Sequence, residues 1–282
     1  MARKTVREPE RRPNSLCRVR IATFNLNGIN SRLANLSDWL AETRPDVACL
    51  QELKTPDERF PEAAIEAAGY GAVWHGQKSW NGVAILARGC TPVETHRGLP
   101  DDPADTQSRY LEAAVNGVLI GCLYLPNGNP VGSPKFAYKL SWMERFMARA
   151  KTLAKLDCPV VLAGDYNIIP TEADVYKPER WLTDALFQPE PRAQYAKLLK
   201  QGWTDALRHL HPDERIFTFW HYWRDSFARD AGIRIDHLLL NRAAAKRLRA
   251  AAVDRATRGR EKASDHAPVW VELDAGSPAT SS

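Results

Sequence analysis

The stretch Pro159-Val160-Val161-Leu162-Ala163-Gly164-Asp165-Tyr166-Asn167 decides the fold prediction. Its apolar run indicates a buried β-strand, and we expect Gly164 to permit a tight turn at the end of that strand. Because side chains alternate along an extended chain, Asp165 and Asn167 should point to one side and Tyr166 to the other. A carboxylate beside a carboxamide suits activation of a water and binding of an oxygen of the group that the water attacks. The alternative is a turn whose Asp and Asn side chains satisfy their own backbone.

The composition indicates an ordinary globular protein. Of 282 residues, 44% are hydrophobic and 26% are charged, and the chain is long enough for one large domain or two small ones. Apolar runs are too short to span a membrane, and no signal-peptide core follows the N-terminus. The five cysteines lack Cys-x-x-Cys spacing, so we expect reduced thiols in a cytoplasmic protein. The net charge of +5 weakly favours a polyanionic partner.

The ends of the chain differ in composition from its middle. Residues 1–18 are basic and contain two prolines, which predicts a disordered arm with non-specific affinity for nucleic acid. A mitochondrial transit peptide is the alternative, and Glu8 and Glu10 count against it. Residues 19–273 should form the folded part of the chain, and residues 274–282 should form a frayed, polar tail.

Apolar segments that end in polar residues recur between these ends. A strand over Arg18–Asn25, a helix over Leu33–Arg44 and a strand over Asp46–Glu52 begin the domain. The strands Arg18–Asn25 and Asp46–Glu52 both end in a polar side chain at the same sheet edge. Open α/β sheets carry their functional sites at that edge. Further strands are predicted at Gly71–His75, Gly82–Ala87, Tyr110–Val115, Val118–Leu125, Ile233–Leu240 and Ala267–Leu273, and further helices at Lys135–Leu156 and Arg192–Leu199.

Seven polar residues lie at strand ends: Asn25, Glu52, Asp165, Asn167, Asp236, Asp265 and His266. Each alone has an ordinary structural interpretation as a cap, a turn or an ion-pair partner. A shared cleft explains all seven better than independent coincidence does. Carboxylates without Cys or several His suit a hard cation such as Mg²⁺ or Mn²⁺. One His beside a carboxylate suits binding or protonation of a phosphate.

The sequence resembles the exonuclease III family of apurinic/apyrimidinic (AP) endonucleases, within the endonuclease/exonuclease/phosphatase superfamily. The resemblance implies a four-layer α/β sandwich, with two mixed β-sheets packed face to face and helices outside. The matching motifs occur in the family's order over about residues 19–273: Phe24-Asn25-Leu26-Asn27-Gly28, Leu50-Gln51-Glu52-Leu53-Lys54, His75-Gly76-Gln77-Lys78 with Gly82-Val83-Ala84, Tyr124-Leu125-Pro126-Asn127-Gly128, Gly164-Asp165-Tyr166-Asn167, Arg234-Ile235-Asp236 and Ser264-Asp265-His266-Ala267-Pro268.

The resemblance also implies catalytic and metal-binding roles. Asp165 would orient or deprotonate the attacking water, and Asn167 would hold a phosphate oxygen or the nucleophile. His266, oriented by Asp236, would contact the scissile phosphate, and Tyr124 would assist at the phosphate or leaving group. The implied metal is Mg²⁺, with Mn²⁺ as a substitute. Its expected site has Glu52 as the principal carboxylate and comprises Asn25, Glu52, Asp165, Asn167, Asp265 and His266.

The expected DNA contacts are Asn27, Lys78, Arg109, Asn127, Phe219 and Trp220. The last two lie in an aromatic loop where the family commonly has Phe-Ser/Thr-Trp-Trp. Here Phe219 replaces the first Trp, and Trp223 precedes Arg224. The resemblance implies that this loop forms a pocket for a flipped-out baseless sugar, selected by shape. Aromatic core packing is the alternative for part of the loop, and solvated surface charge is the alternative for Lys78 and Arg109.

The implied activity is divalent-metal-dependent hydrolysis of phosphodiester bonds 5′ to abasic sites, with 3′-5′ exonuclease and 3′-phosphatase or phosphodiesterase activity. The implied substrate is double-stranded DNA with abasic sites or blocked 3′ ends. A cytoplasmic, nucleoid-associated monomer without membrane contact is expected. Two alternatives stay open: a phosphoesterase of the same fold acting on phosphoinositides or sphingomyelin, and a non-catalytic DNA-binding module. The second would be expected to have lost Glu52, Asp165 or His266.

Overall fold

The apolar segments pair into two six-stranded sheets in the computed structural model, which describes residues 18–275. The first sheet contains β1 (Arg18–Asn25), β2 (Val47–Gln51), β3 (Tyr70–His75), β4 (Val83–Arg88), β11 (Leu248–Val253) and β12 (Val269–Asp274). The second contains β5 (Val93–Arg97), β6 (Tyr110–Val115), β7 (Val118–Tyr124), β8 (Val160–Asp165), β9 (Thr204–Asp205) and β10 (Asp236–Leu240). The helices are α1 (Leu33–Thr43), α2 (Glu62–Ala67), α3 (Pro134–Leu153), α4 (Pro189–Lys200), α5 (Ala206–Leu210) and α6 (Arg242–Ala245).

Both sheets have the same pattern of strand directions. Their spatial orders are β11-β12-β1-β2-β4-β3 and β5-β6-β7-β8-β10-β9. The central pairs β1–β2 and β7–β8 are parallel, and every other pairing within residues 18–275 is antiparallel. Each sheet therefore brings the carboxyl ends of two adjacent strands to one edge.

Alternating side chains build the four layers. In β1, Ile21 is buried between the sheets, whereas Phe24 packs on the outer face against Trp39 of α1, with ring centroids 5.5 Å apart. In β8, Val161 faces the other sheet and Leu162 faces the cluster under α3 and α4. Burying one such side chain contributes about 1.5–3 kcal/mol. The period of two thus separates the side chains that face the other sheet from those that face the helices.

The helices begin and end at local signals. Helix α1 ends at Thr43 because Arg44 adopts a left-handed conformation (φ 46°) and Pro45 follows. Helix α3 begins with Pro134 in its first turn, where a missing N–H costs nothing. It ends at Leu153 rather than at the predicted Leu156, since a turn from Leu153 to Leu156 redirects the chain into β8.

Gly164 has a different role from the one predicted. It does not form a turn: it lies within β8, paired with Leu123 of β7 and His237 of β10. A Cβ at this position would lie 2.0 Å from the Leu123 carbonyl oxygen. The glycine is required for close approach of neighbouring backbones, and the strand continues to Asp165.

Three strands are absent from the sequence predictions, and one predicted strand is shorter. Strands β5, β9 and β11 lie at sheet edges: β9 has only two residues, and the polar or alanine-rich sequences of β5 and β11 carry no apolar alternation. The predicted strand Ile233–Leu240 pairs regularly only from Asp236, because Ile233 exchanges hydrogen bonds with Phe219 of the aromatic loop instead.

The predicted arm and tail lie almost wholly outside the described residues. Arg18 and Asp274, assigned to them by the sequence, are instead paired between β1 and β12. None of the helices within residues 18–275 combines the length and apolar character needed to cross a bilayer.

Candidate active site

The carboxyl ends of the two parallel pairs meet at one end of the sandwich. Asn25 ends β1, Glu52 follows β2, Tyr124 ends β7 and Asp165 ends β8. The Asn25 amide nitrogen donates to Glu52 Oε1 and to Asp165 Oδ2, each at 2.9 Å. The Tyr124 hydroxyl donates to Glu52 Oε1, also at 2.9 Å. Groups that are up to 140 positions apart in the chain thus form one hydrogen-bonded cluster.

Sharp backbone turns place these side chains in the cleft. Asn27, Glu52, Lys54 and Asn167 all have φ between 48° and 51°, in the left-handed region that is costly for residues other than glycine. The Asn167 N–H donates to Asp165 Oδ1 at 2.8 Å, which closes the turn after β8. Asp165 and Asn167 share the cleft as predicted, through this turn and not through strand alternation.

A histidine–aspartate pair lies opposite Asp165. His266 Nδ1 is 2.9 Å from Asp236 Oδ2, and its Nε2 faces Asp165 Oδ2 at 3.8 Å. Asp236 opens β10, beside Asp165 in the adjacent strand. The Ser264 hydroxyl donates to the Asn25 carbonyl oxygen and accepts from the His266 N–H, which ties the His266 loop to β1. The arrangement points Nε2 of the imidazole into the cleft.

Burial and neighbouring charges set the protonation states. Burial raises the pKa of Asp165 to about 7 against the opposing effect of His266. Burial alone would lower the pKa of His266, but the Asp236 carboxylate raises this pKa to about 10. For Glu52, burial opposes ionisation, but Lys54, Asn25 and His266 together outweigh burial and lower the pKa. Near neutral pH the cleft therefore holds an ionised Glu52, a protonated His266 and an Asp165 able to exchange a proton.

The donor set fits a hard divalent cation. Ligand atoms of Glu52, Asp165 and His266 lie within 4.8 Å of one another. A protonated imidazole offers no lone pair, so the carboxylates of Glu52 and Asp165 are the better ligands. Lys54 Nζ lies 2.8 Å from Glu52 Oε2 and supplies a positive charge at the place where a cation would be attracted.

Three predicted metal ligands have other partners. Asn25 presents its amide N–H₂ to the carboxylates while its oxygen accepts from the Asn27 N–H, so it is a donor here and not an oxygen ligand. The Asn167 oxygen accepts from Asn127, and its nitrogen donates to the Leu125 carbonyl. Asp265 lines the cleft and accepts from the Asn27 side chain at 3.1 Å.

The predicted DNA contacts surround the cleft, with one exception. Asn27 and the exposed Asn127 lie at its rim, and Arg109 stacks on the Tyr124 ring, 4.9 Å from its centroid. Arg109 and Asn127 also line an adjacent cleft of about 450 Å³. Lys78 is exposed on the loop between β3 and β4.

Trp220 is the exception, and its assignment to the lesion pocket is wrong. Its side chain is only 1% exposed and packs with Phe217, Phe227 and Ala267, while its indole N–H donates to Asp230. Phe219 does line the cleft, with its ring 4.9 Å from that of His266. Neighbouring side chains in this loop point to opposite sides, so only one of the pair can reach the site.

Several residues of the site escaped sequence analysis. Trp181, Asp184 and His221 line the cleft of about 260 Å³, and none of them ends an apolar strand. The buried Lys139 on α3 donates to the carbonyl oxygens of Asn127 (3.0 Å) and Asn167 (2.6 Å). The signal available in the sequence is a lysine among the apolar positions of a predicted amphipathic helix. This pattern does not identify the partners of the lysine.

Comparison with known proteins agrees with this geometry. The chain matches the Endonuclease/Exonuclease/phosphatase family over residues 22–266 and belongs to that family. Exodeoxyribonuclease III from Haemophilus influenzae is 34% identical to it over 268 residues, which are 90% of this chain and 100% of that protein.

Two solved structures share the fold along nearly the whole chain. An AP endonuclease from Archaeoglobus fulgidus has a TM-score of 0.87 at 36% identity, covering 91% of this chain and 99% of its own. The 3′ phosphatase NExo from Neisseria, bound to product DNA hairpin, has a TM-score of 0.87 at 40% identity with the same coverage. These similarities confirm the predicted resemblance, the two-sheet sandwich and the assignment to the nucleases, a class of hydrolases.

Proposed function

We propose that this protein is a divalent-metal-dependent DNA repair nuclease that incises the phosphodiester bond 5′ to abasic sites and removes blocking groups from 3′ ends. The observation that carries the proposal is the meeting of Glu52, Asp165 and the His266–Asp236 pair in one cleft. Exodeoxyribonuclease III, the AP endonuclease and NExo are similar proteins whose names describe such activities.

The residues of the cleft have complementary roles in phosphodiester hydrolysis. Asp165, with a pKa near neutrality, orients a water and accepts its proton. Protonated His266 donates from Nε2 to a phosphate oxygen, and Asp236 keeps the ring protonated and oriented. Burial raises the pKa of the Tyr124 phenol well above its usual value, so it stays a hydrogen-bond donor and holds Glu52 in place.

Glu52 and Asp165 would hold the metal, and we propose Mg²⁺ with Mn²⁺ as a substitute. When bound, the cation supplies charge neutralisation at the phosphate. Asn167 has both side-chain groups engaged, so it acts by orienting Asn127, whose amide is exposed at the rim and can reach a phosphate. Asn27, Lys78 and Arg109 offer donors and positive charge along the path of a DNA backbone.

The two alternatives are less well supported. A non-catalytic DNA-binding module would have no need for a buried histidine–aspartate pair facing a second carboxylate. A lipid phosphodiesterase of the same fold has no counterpart among the similar proteins named above, whose names describe nucleases and a 3′ phosphatase. Lys54 and Arg109 border the cleft, and their positive charges suit a long polyanion.

The test uses one 30-base-pair duplex with a single synthetic abasic site, with Mg²⁺ or with EDTA, beside an undamaged duplex. We expect incision at the lesion with Mg²⁺ only, and little cleavage of undamaged DNA. A second duplex with a 3′-phosphate tests removal of end blocks. Hydrolysis of phosphoinositide but not of either duplex would reject the proposal.

We also propose that the protein acts as a cytoplasmic monomer.

A further inference from the structure

Three nearly parallel aromatic rings form an extension of the catalytic cleft. The rings of Trp181 and His221 are 5.9 Å apart with planes 4° from parallel, and those of His221 and Trp223 are 4.1 Å apart at 15°. We call these three residues the aromatic stack. Trp223 is 59% exposed, although a side chain of this size is usually buried. The stack therefore presents a large apolar surface to solvent.

The backbone holds Trp223 in this exposed position. Arg224 and Asp225, which follow it, both adopt left-handed conformations (φ 56° and 48°). The Ser226 hydroxyl donates to the Trp223 carbonyl at 2.8 Å, and the Ser226 N–H donates to the same oxygen at 3.3 Å. The turn thus fixes the backbone at Trp223, whose ring stacks on His221.

The stack separates the catalytic cleft from a basic groove. Trp181 and His221 line both spaces, and the groove has a volume of about 200 Å³. Four cationic side chains line the groove: Lys177, Arg180, Arg224 and Arg229. None of the described residues that line it is a carboxylate. Such a combination of aromatic faces and positive charge suits a nucleotide, whose base stacks and whose phosphate is anionic.

The stack is close to the reacting centre. The Phe219 ring lies 4.8 Å from His221 and 4.9 Å from His266. Phe219 thus contacts both the aromatic stack and the histidine of the catalytic cleft. Burial lowers the pKa of His221, so its ring is neutral near pH 7 and suited to stacking rather than to pairing with a phosphate.

We infer that the aromatic stack and the basic groove bind an unpaired 3′-terminal nucleotide of DNA next to the scissile phosphate. The inference rests on the proposed function, because a 3′-processing nuclease places its terminal nucleotide beside the phosphate that it cleaves. An internal base of a duplex has both faces covered, and the terminal base of a blunt end is held in line with the helix by its pairing partner. An unpaired terminal nucleotide can turn away from the duplex and place one face on Trp223 while its phosphate reaches the groove, so the stack should favour unpaired over paired 3′ ends.

The experiment measures DNA binding by the full-length protein in EDTA, at one fixed salt concentration, by fluorescence anisotropy. The probes are one duplex with a blunt end, with three unpaired thymidines at the 3′ end, or with three at the 5′ end. We expect Trp223→Ala to raise the Kd for the 3′-unpaired probe about tenfold, the size of one lost base–aromatic contact. The Kd for the blunt and 5′-unpaired probes should change less than about twofold.

Two further variants serve as controls. Trp223→Phe keeps an aromatic face and should restore most of the affinity. Leu182→Ala removes an exposed apolar side chain (65% exposed) next to Trp181 without removing a ring, and should bind all probes like the wild type. Equal weakening on all three probes would make Trp223 a general DNA contact and overturn the inference, as would no change or an effect on the 5′ probe alone. Cleavage of the abasic duplex by the wild type tests the proposed function separately.

Discussion

At the scale of single residues, the cleft depends on carboxylates whose ionisation is controlled by their neighbours. Lys54, Asn25 and His266 together outweigh burial and lower the pKa of Glu52, whereas burial raises the pKa of Asp165. His266 keeps its proton because Asp236 lies behind it. The three groups thus differ in charge at one pH although they lie within a few ångströms, so one cleft can combine metal binding, proton acceptance and hydrogen-bond donation.

The first prediction concerns Glu52. Glu52→Gln should reduce turnover on the abasic duplex by about two or more orders of magnitude, because a neutral amide binds a divalent cation poorly. Raising the Mg²⁺ concentration should recover part of the rate, and initial rates across a Mg²⁺ titration measure both effects. Glu58→Gln, an exposed control in the same loop, should behave like the wild type. A normal rate at low Mg²⁺ for Glu52→Gln would remove Glu52 from the metal site.

The second prediction separates chemistry from binding at Asp165. Asp165→Asn should abolish cleavage, since the amide cannot accept the proton of a water. Affinity for the abasic duplex in EDTA should be preserved or increased, because a negative charge near the phosphate is gone. Parallel loss of binding and cleavage would indicate a structural role for Asp165.

At the scale of secondary-structure elements, a helix supports the loops that carry the site. Lys139 of α3 is fully buried and donates to the carbonyl oxygens of two site residues, Asn127 and Asn167. Burial lowers its pKa to about 7. Gly128, with φ 90°, lets the chain pass over the lysine, as a Cβ there would lie 2.6 Å from Lys139 Cδ. One side chain that contacts no substrate thus sets the spacing of the loops after β7 and β8.

The third prediction therefore concerns Lys139. Lys139→Met should lower kcat at least about tenfold with a smaller change in KM, since the loops lose their shared donor while the charged rim persists. Steady-state kinetics on the abasic duplex give both constants. Lys151→Met removes an exposed lysine of the same helix and should leave kcat unchanged. If both variants keep wild-type kcat, the loops are held by their other contacts.

The fourth prediction concerns the aromatic loop, where Phe219 and Trp220 have different environments. Trp220→Ala should lower the free energy of unfolding by about 3–5 kcal/mol, as expected for a truncated buried tryptophan. Phe219→Ala should instead reduce the preference for abasic over intact DNA with little loss of stability. Urea denaturation and cleavage of the two duplexes measure these effects. A stable Trp220→Ala with altered lesion preference would contradict the packing seen here.

At the scale of the whole molecule, two sheets of matching topology bring four strand ends together. A buried polar network around Arg234 connects the second sheet to its loops. Arg234 donates to Asp174 and Asp205, each at 2.7 Å, and to His237 Nδ1 at 3.1 Å. Removing one partner of such a buried pair leaves an uncompensated charge, at a cost of about 3–5 kcal/mol. The network joins the loop around Asp174 and the short strand β9 to β10.

The fifth prediction is a pH dependence of stability. Burial, aided by Arg234, lowers the pKa of His237 to about 4, against about 6.5 in the unfolded chain. Between these values the unfolded chain binds a proton that the native state does not, so stability falls with decreasing pH, by up to about 3 kcal/mol. Urea denaturation at pH 7 and pH 4.5 should show a smaller fall for His237→Gln than for the wild type. Exposed His209→Gln is the control, and equal falls in all three proteins would exclude His237.

Much of this protein could be predicted from its sequence, because short-range patterns carry the information. Apolar alternation, interrupted at Pro and Gly, predicts the boundaries of β1, β6 and most of the other strands to within one or two residues. The polar residues at the ends of those strands indicate Glu52, Asp165 and His266 as candidates for the site. The motif order then indicated the family, since seven short motifs in sequence seldom coincide.

Only the tertiary structure decided the features that depend on contacts between distant segments. The local sequence predicts a turn at Gly164. The glycine is in fact needed because the backbone of β7 lies too close for a Cβ, and β7 is distant in the sequence. Trp220 and Phe219 are adjacent and both aromatic, and only packing determines which is buried. Lys139, Trp181 and His221 join the site because loops from separate elements converge there. Local sequence determines which face of a strand or helix is apolar, whereas the partner of that face is selected by the packing of the whole chain.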